Sequence, residues 1–102
     1  ACNKRCKYNR FYILKSKCSD KIIDVANSGQ ENGTNVWQHT NNGTVAQRWY
    51  IMPCGNGYCN IISRCNIMAL DIDKAKTKNG TNVQCWEVNN TNAQKFKFVK
   101  AG

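Results

Sequence analysis

Asn79-Gly80-Thr81-Asn82-Val83 repeats, letter for letter, a stretch that lies 47 positions earlier, Asn32 to Val36. Holding that offset without gaps places residues 7–53 over residues 54–100, and thirteen of the 47 pairs are identical. The identical pairs outside this block include Ser16/Ser63, Cys18/Cys65, Asp24/Asp71, Asn42/Asn89 and Gln47/Gln94. An ungapped period of this length indicates one supersecondary unit that is used twice. The sequence therefore predicts a tandem repeat.

The repeat divides the chain into three parts within one domain. Residues 1–10 form a basic segment that contains two cysteines, residues 11–53 the first repeat, and residues 54–100 the second. Each repeat holds four short β-favouring runs that are separated by stretches rich in Gly and Asn. These runs lie at 11–14, 22–25, 36–39 and 47–52, and again at 61–62, 68–72, 83–88 and 94–99. No helix is predicted, since the one candidate segment, 71–78, is polar nearly all round. The fold class is therefore all-β and barrel-like.

The composition limits the classes of partner. A chain of 102 residues can bury only a small core, and its net charge of +9 attracts anionic partners. The pattern argues against nucleic acid as a partner, because the aromatic residues are not interleaved with the lysines as stacking platforms would be. No apolar run is long enough to span a membrane. The start at Ala1 without an initiator Met fits a secreted protein after removal of its signal peptide.

Seven cysteines in so short a chain favour an oxidising compartment and a fold held by disulfides. The alternative is buried free thiols in a cytosolic protein. The odd count leaves one thiol unpaired or joined to another chain. A bridge between Cys54 and Cys59 across the Gly-rich connection is sterically plausible. The disulfide candidates are Cys2, Cys6, Cys18, Cys54, Cys59, Cys65 and Cys85.

Both repeats close on the same signature of Ala, Gln, a basic residue and an aromatic one, at Ala46 to Trp49 and at Ala93 to Phe96. Each also has an Asp between two apolar residues, eight positions before its Asn-Gly pair. This ordered set resembles the ricin B-type lectin repeat with its Gln-x-Trp signature, over residues 11 to 100. The resemblance implies a β-trefoil, in which three such units surround a pseudo-threefold axis.

Only two of the three units are present in this sequence. The ten leading residues cannot supply a further repeat of about forty, and two-thirds of a barrel would expose strand edges. We therefore expect an incomplete trefoil that a protein partner, self-association or a longer parent chain completes.

The resemblance also implies sugar sites, built from the repeat's Asp, a Gln, an aromatic plate and an Asn. A sugar presents paired hydroxyls and one apolar C–H face, which suit a carboxylate beside an aromatic ring. In the second repeat the matching residues are Asp71, Gln84 and Trp86, with Asn89 and Asn92 close by. The first repeat is degenerate, and its weak set is Asp24, His39 and Asn42, with Trp37 where the Gln belongs.

Structural explanations compete with each assignment. Asp24 and Asp71 are equally suited to capping turns through hydrogen bonds to backbone amides. Trp86 is equally suited to a half-buried packing position, and the lysine clusters to a solvated face. Gln47 and Gln94 are predicted to be internal scaffold, and Trp49 and Phe96 to be core.

Enzyme chemistry, metals and cofactors are not predicted. His39 has no partnered nucleophile motif, and the cysteines lack two Cys-x-x-Cys pairs. The leading interpretation is a secreted carbohydrate-binding module that recognises galactose-type or anionic glycans through the second repeat. The alternative is a structural or assembly protein that is derived from a lectin repeat and binds no sugar. Such a protein would be linked to another chain by a disulfide or would dock to an anionic partner.

Overall fold

The structure is a computed structural model, and it describes residues 10–100. It contains six strands: β1 (Ile22–Val25), β2 (Val36–His39), β3 (Trp49–Gly55), β4 (Tyr58–Ser63), β5 (Ala69–Ile72) and β6 (Val83–Trp86). Within the described part, the only helical segments are four three-residue 3-10 turns, at Ala26–Ser28, Val45–Gln47, Asp73–Ala75 and Asn92–Gln94. No helix there is long and apolar enough to cross a membrane. The all-β fold class predicted from the repeats is confirmed.

The repeat is visible in the element boundaries. β1 and β5, β2 and β6, and both pairs of 3-10 turns are displaced by the same 47 residues as the sequence repeat. β1 and β2 pair antiparallel as a two-stranded sheet, and the other four strands form a sheet in the order β3-β4-β5-β6. β3 pairs with β4 from Trp49↔Ser63 to Gly55↔Tyr58, with a bulge between Pro53 and Gly55. This long hairpin joins the two repeats, and the predicted boundary at residue 53 lies inside β3.

The tight turn of the hairpin is formed by Asn56 and Gly57, whose φ angles of 58° and 82° are both left-handed. Such turns match the twist of the strands that they connect, and Asn-Gly is the pair that adopts them most readily. The sequence marks this connection with its glycines, and the structure shows it to be a β-hairpin.

Two predicted strands are reduced to single bridges. The segment predicted at 11–14 is represented by the pair Tyr12↔Trp49, and the segment predicted at 94–99 by Cys59↔Phe96. The first segment also meets β1, since Leu14 accepts a hydrogen bond from the N–H of Ile23 at 2.9 Å. The predictions were wrong in extent because each segment shares only isolated bridges with its neighbours, so that no continuous ladder forms.

The core is shared between the repeats. Its main cluster joins Val25, Ala46 and Trp49 of the first repeat to Cys59, Ile61 and Cys85 of the second. Trp49 is fully buried and donates its indole N–H to the carbonyl of Ile23 at 3.1 Å, while Phe96 packs half-buried against the same cluster. Both aromatics are therefore core residues, as predicted from the strand pattern.

The described cysteines are Cys18, Cys54, Cys59, Cys65 and Cys85, and all five are free thiols. The bridge expected between Cys54 and Cys59 is absent from the structure: the Cys59 thiol turns inward and donates to the carbonyl of Phe96 at 3.4 Å. Burial raises the pKa of the thiols of Cys59, Cys65 and Cys85. Cys2 and Cys6 lie outside the described residues, as does nearly all of the basic segment 1–10.

Candidate functional site

Asp71 lines a cleft of about 330 Å³ on the second repeat. It lies in β5 directly opposite Gln84 of β6, and its side chain is almost fully buried. Its Oδ1 accepts a hydrogen bond from Nε2 of Gln84 at 3.2 Å, and its Oδ2 accepts one from Nε2 of Gln94 at 2.9 Å. An ionised carboxylate has about four acceptor positions. The two amides therefore fix its orientation and leave acceptor capacity for the hydroxyls of a ligand.

Trp86 supplies an aromatic surface to the same cleft. It is the last residue of β6, two positions after Gln84, and 37% of its surface is exposed. Alternation along a strand places residues two apart on one face, so the register of β6 brings Gln84 and Trp86 together. A half-exposed indole beside a fixed carboxylate offers both a stacking surface and a hydrogen-bond acceptor.

Gln94 holds the far wall of the cleft in place. It is fully buried and accepts a hydrogen bond from the backbone N–H of Asn89 at 3.0 Å. Its Nε2, besides the bond to Asp71, donates to the carbonyl of Glu87 at 2.9 Å. The scaffold role predicted for this glutamine agrees with these contacts. It links the carboxylate to the loop that follows β6.

Asn89 lines the cleft, but its side-chain oxygen is used locally. That oxygen accepts from the backbone N–H of Thr91 at 3.1 Å and from its hydroxyl at 2.7 Å. The side-chain amide nitrogen is therefore the group that Asn89 can offer a ligand as a donor. Asn92, also predicted as a site residue, is not among the residues that line the cleft. It begins a 3-10 turn in which its carbonyl accepts from the N–H of Lys95 at 3.2 Å.

Sequence reasoning missed part of the lining. The additional residues are Asp73, Lys74, Ala75, Thr91 and Ala93. Asp73 follows directly after β5, which ends at Ile72. The next residues, Lys74 and Ala75, have φ angles of 54° and 55° and turn the chain around the cleft. The first repeat could not indicate that an acidic residue lines the cleft here, because it has Ala26 at the position of Asp73.

The corresponding cleft of the first repeat is smaller, about 140 Å³. Asp24, Trp37, His39 and Asn42 all line it, so the weak set predicted from the sequence is brought together. The indole N–H of Trp37 donates to Oδ1 of Asp24 at 2.8 Å, in the place where Gln84 serves Asp71. The Trp37 ring also stacks on His39, with 6.2 Å between ring centroids. The bulky indole fills the position of an amide and narrows the cleft.

Comparison with known proteins places the fold in a family. The family described as "Ricin-type beta-trefoil lectin domain-like" matches residues 4–86 of this chain. No curated protein matches the chain. Among solved structures, the designed threefold-symmetric protein ThreeFoil aligns with a TM-score of 0.88 and 30% identity, over 91% of this chain and 66% of its own.

An exo-β-1,3-galactanase from Clostridium thermocellum also aligns, with a TM-score of 0.88 and 30% identity, over 92% of this chain and 20% of the enzyme. The protein PSL1a shares the fold at 17% identity and a TM-score of 0.69, over 85% of this chain and 29% of its own. The chain thus spans just under two-thirds of ThreeFoil and smaller fractions of the other two proteins. With the family match covering most of its length, the chain belongs to the ricin-type β-trefoil lectin-like family.

Proposed function

We propose that the chain is a carbohydrate-binding module and that the cleft of its second repeat holds one galactose-type sugar. The observation that carries the proposal is the shared position of Asp71 and Trp86 on one cleft of about 330 Å³. In this proposal the carboxylate accepts from two neighbouring hydroxyls while the indole stacks on the C–H face of the ring. Asn89 donates from its amide to a third oxygen. A largely preformed cleft with a few convergent polar groups is the usual form of a small-ligand site.

A galactose-type sugar is preferred on chemical grounds. Its axial 4-hydroxyl leaves the C–H groups at positions 3, 4 and 5 together on one face, which presents an apolar surface to an aromatic ring. The partial likeness to an exo-β-1,3-galactanase supports the same class of sugar. The proposal assigns no catalytic activity to this chain. It places the protein outside the cell, where glycans are displayed, and detection in culture medium rather than in cell extract tests that location.

Titration calorimetry with galactose, preceded by a glycan array, tests the proposal. Trp86→Ala is expected to weaken binding at least tenfold, because ring stacking and the buried apolar area are lost together, about 1.4 kcal/mol or more. Trp37→Ala is the matched control, since it removes the same residue type at similar exposure from the other cleft. Equal loss in both variants, or a wild-type protein that ignores every glycan on the array, contradicts the proposal.

Lys74 on the same cleft favours an acidic form of the sugar. A sulfate or carboxylate on the sugar would pair with its ammonium group. We expect Lys74→Ala to weaken binding of sulfated or uronic sugars several-fold and to leave neutral galactose unchanged. An equal effect on both sugars would show that the lysine supports the cleft rather than reading charge.

A second candidate function is assembly. Apolar side chains are exposed at the open edges of the barrel, with Ile13 on one edge and Phe98 and Val99 on the other. Exposed apolar surface at an unpaired strand edge favours association. In this alternative the sugar clefts are silent and a protein partner is joined at the edges or through a disulfide. Native mass spectrometry without reductant discriminates, because an obligate oligomer with no glycan affinity supports assembly alone.

A further inference from the structure

Four asparagines of this chain are followed by a glycine, at positions 32, 42, 56 and 79. In an Asn-Gly pair the asparagine side chain reacts readily with the backbone, because glycine has no Cβ to shield its nitrogen. Two of the four pairs lie in the repeated block, Asn32 to Val36 and Asn79 to Val83. Because the two copies share their local sequence, a difference in their reactivity reports the structure around each.

Both copies of the block form the same turn. In each, the backbone N–H of the threonine donates to the carbonyl three residues earlier, at 3.1 Å in the first copy and 3.2 Å in the second. The glycines before these threonines, Gly33 and Gly80, have φ angles of 90° and 89°. A positive φ at this position is typical of a type II turn. The hydrogen bond that closes such a turn does not use the N–H of the glycine.

In the first copy, the groups that would take part in the reaction are hydrogen-bonded. The N–H of Gly33 donates to the carbonyl of Cys85 at 2.8 Å. Oδ1 of Asn32 accepts from the backbone N–H of Glu87 at 2.7 Å, and its Nδ2 donates to Oε1 of Glu87 at 3.4 Å. These three bonds to β6 and to the residue after it hold the Asn32–Gly33 peptide in place.

In the second copy, the same groups are exposed. Within residues 10–100, neither the side chain of Asn79 nor the N–H of Gly80 makes a hydrogen bond. A Cβ placed on Gly80 would meet no atom within 4 Å. The end of the loop is anchored, since Asn82 donates from Nδ2 to Oδ1 of Asn35 at 2.9 Å and its carbonyl accepts from the N–H of Asp73 at 3.0 Å. The tip of an anchored loop is therefore able to rotate at the Asn79–Gly80 peptide.

The other two Asn-Gly pairs are restrained. Oδ1 of Asn42 accepts from the N–H of Thr44 at 3.0 Å and from its hydroxyl at 2.8 Å, and the N–H of Asn42 donates to Oε1 of Gln47 at 3.0 Å. Asn56 has a left-handed φ of 58° in the turn that joins β3 to β4. Reaction with the next nitrogen requires a backbone rotation at the asparagine, which the paired strands of this hairpin resist.

We infer that Asn79 is a site of spontaneous modification, at which the side chain reacts with the backbone nitrogen of Gly80. In this reaction the nitrogen loses its proton and forms a bond to the side-chain carbonyl carbon, and the side-chain nitrogen leaves as ammonia. Water then opens the resulting five-membered imide at one of its two carbonyls. One opening gives aspartate, and the other gives isoaspartate, in which the backbone continues through the former side chain.

The product changes the charge of a surface groove. Asn79 lines this groove together with Asp73, Lys76 and Lys78. Before the reaction two ammonium groups face one carboxylate, and afterwards two carboxylates balance them. The groove then loses its net attraction for anionic ligands. Asn79 is not among the residues that line the sugar cleft, so the modification is independent of the proposed sugar binding.

Peptide mapping by tandem mass spectrometry follows each asparagine while the full chain is incubated at neutral pH and physiological temperature. In the folded protein Asn79 is expected to lose its amide at least tenfold faster than Asn32, because Asn32 must first leave its contacts by local opening. In concentrated urea the two rates are expected to agree within about twofold, because the contacts that distinguish the copies are gone. Isoaspartate at position 79, detected with an isoaspartate-specific methyltransferase, identifies the imide route.

Asn79→Gln is the matched control, because its longer side chain would have to close a six-membered ring, which is far slower. This variant should accumulate much less of the acidic species that cation-exchange chromatography separates, and Asn79→Asp marks the elution position of that species. Equal rates at Asn32 and Asn79 in the folded protein, or faster loss at Asn42 or Asn56, refute the inference. A rate ratio that urea leaves unchanged also refutes it, since the neighbouring residue types and not the fold would then set the ratio.

Discussion

At the scale of single residues, the two clefts show how one substitution changes an otherwise equal site. Asp24 and Asp71 occupy the same position of the repeat, and each is almost fully buried. Asp71 is held by two slender amides, whereas Asp24 is held by the indole of Trp37. The indole satisfies the carboxylate but fills the space beside it. The difference in cleft volume between the repeats follows from this exchange.

Gln94 is expected to contribute more to stability than its counterpart Gln47. Both close the same loop, since each accepts from an asparagine N–H and donates to a carbonyl. In the part of the chain that the structure describes, Gln94 also donates to the carboxylate of Asp71, whereas Gln47 has no such bond. A hydrogen bond to a charged group contributes roughly 1.5 to 3 kcal/mol. Gln94→Ala should therefore lower the free energy of unfolding by about 2 kcal/mol more than Gln47→Ala, as measured by urea denaturation. Equal losses would show that the carboxylate contact contributes nothing.

The cysteines should differ in their rates of alkylation. The thiolate is the reactive form, and burial raises the pKa of Cys85 and Cys59, so less thiolate is present at neutral pH. Cys18 is exposed and should react first among the five cysteines that the structure describes. Mass spectrometry after a timed pulse of iodoacetamide measures the order, and the rates at the buried thiols should still be rising above pH 9. Labelling of Cys85 as fast as Cys18 would contradict the buried position.

Sequence reasoning recovered most of the cleft but not its turn. Asp71, Gln84 and Trp86 could be predicted because they match the site positions of the ricin B-type repeat that the sequence resembles. Asp73 and Lys74 could not, because their position depends on where β5 ends and on left-handed φ angles at Lys74 and Ala75. Neither Lys74 nor Ala75 is a glycine or an asparagine, so their residue types do not predict a left-handed turn.

At the scale of elements, strand formation follows the number of neighbours. The central hairpin of β3 and β4 is paired over most of its length, although its glycines predicted only a tight connection. The segments near Tyr12 and Phe96 have equally β-favouring sequences but form only isolated bridges. Local sequence determines which face is apolar. Whether a ladder forms depends on a partner strand, which a propensity cannot report.

Amide hydrogen exchange should reproduce this division. Ile61 and Ile62 are buried in β4 between paired neighbours, so their amides should exchange only through global unfolding. Phe98 and Val99 are 68% and 75% exposed, and their amides should exchange within about tenfold of unstructured rates. NMR-detected exchange at neutral pH measures both classes. Protection of residues 98 and 99 in a monomeric sample would show that the open edge is covered by another part of the chain.

At the scale of the whole molecule, the sugar cleft and the groove lined by Lys76 and Lys78 are separate surfaces. The cleft of the second repeat has one lysine on its wall, whereas the net charge of +9 is spread over many others. Lys76 and Lys78 line a separate groove on the far side of Asp73, which borders both. A sugar that is neutral has no net charge for those lysines to attract. A polyanion such as a sulfated glycan carries charge that those lysines attract, so a neutral sugar and a polyanion should respond differently to salt.

Raising the salt concentration from about 50 mM to about 500 mM should leave the affinity for neutral galactose within twofold. The sugar's bonds to Asp71 and Trp86 are short-range, and screening acts on charges separated by about a Debye length, which falls below about 10 Å in this range. The same change should weaken binding of a highly sulfated glycan at Lys76 and Lys78 by about tenfold or more, since attraction by the lysines is screened. Calorimetry of both ligands on one sample measures the contrast. Equal salt dependence would mean that both ligands occupy the basic groove, and Trp86→Ala, which should then affect neither, identifies that case.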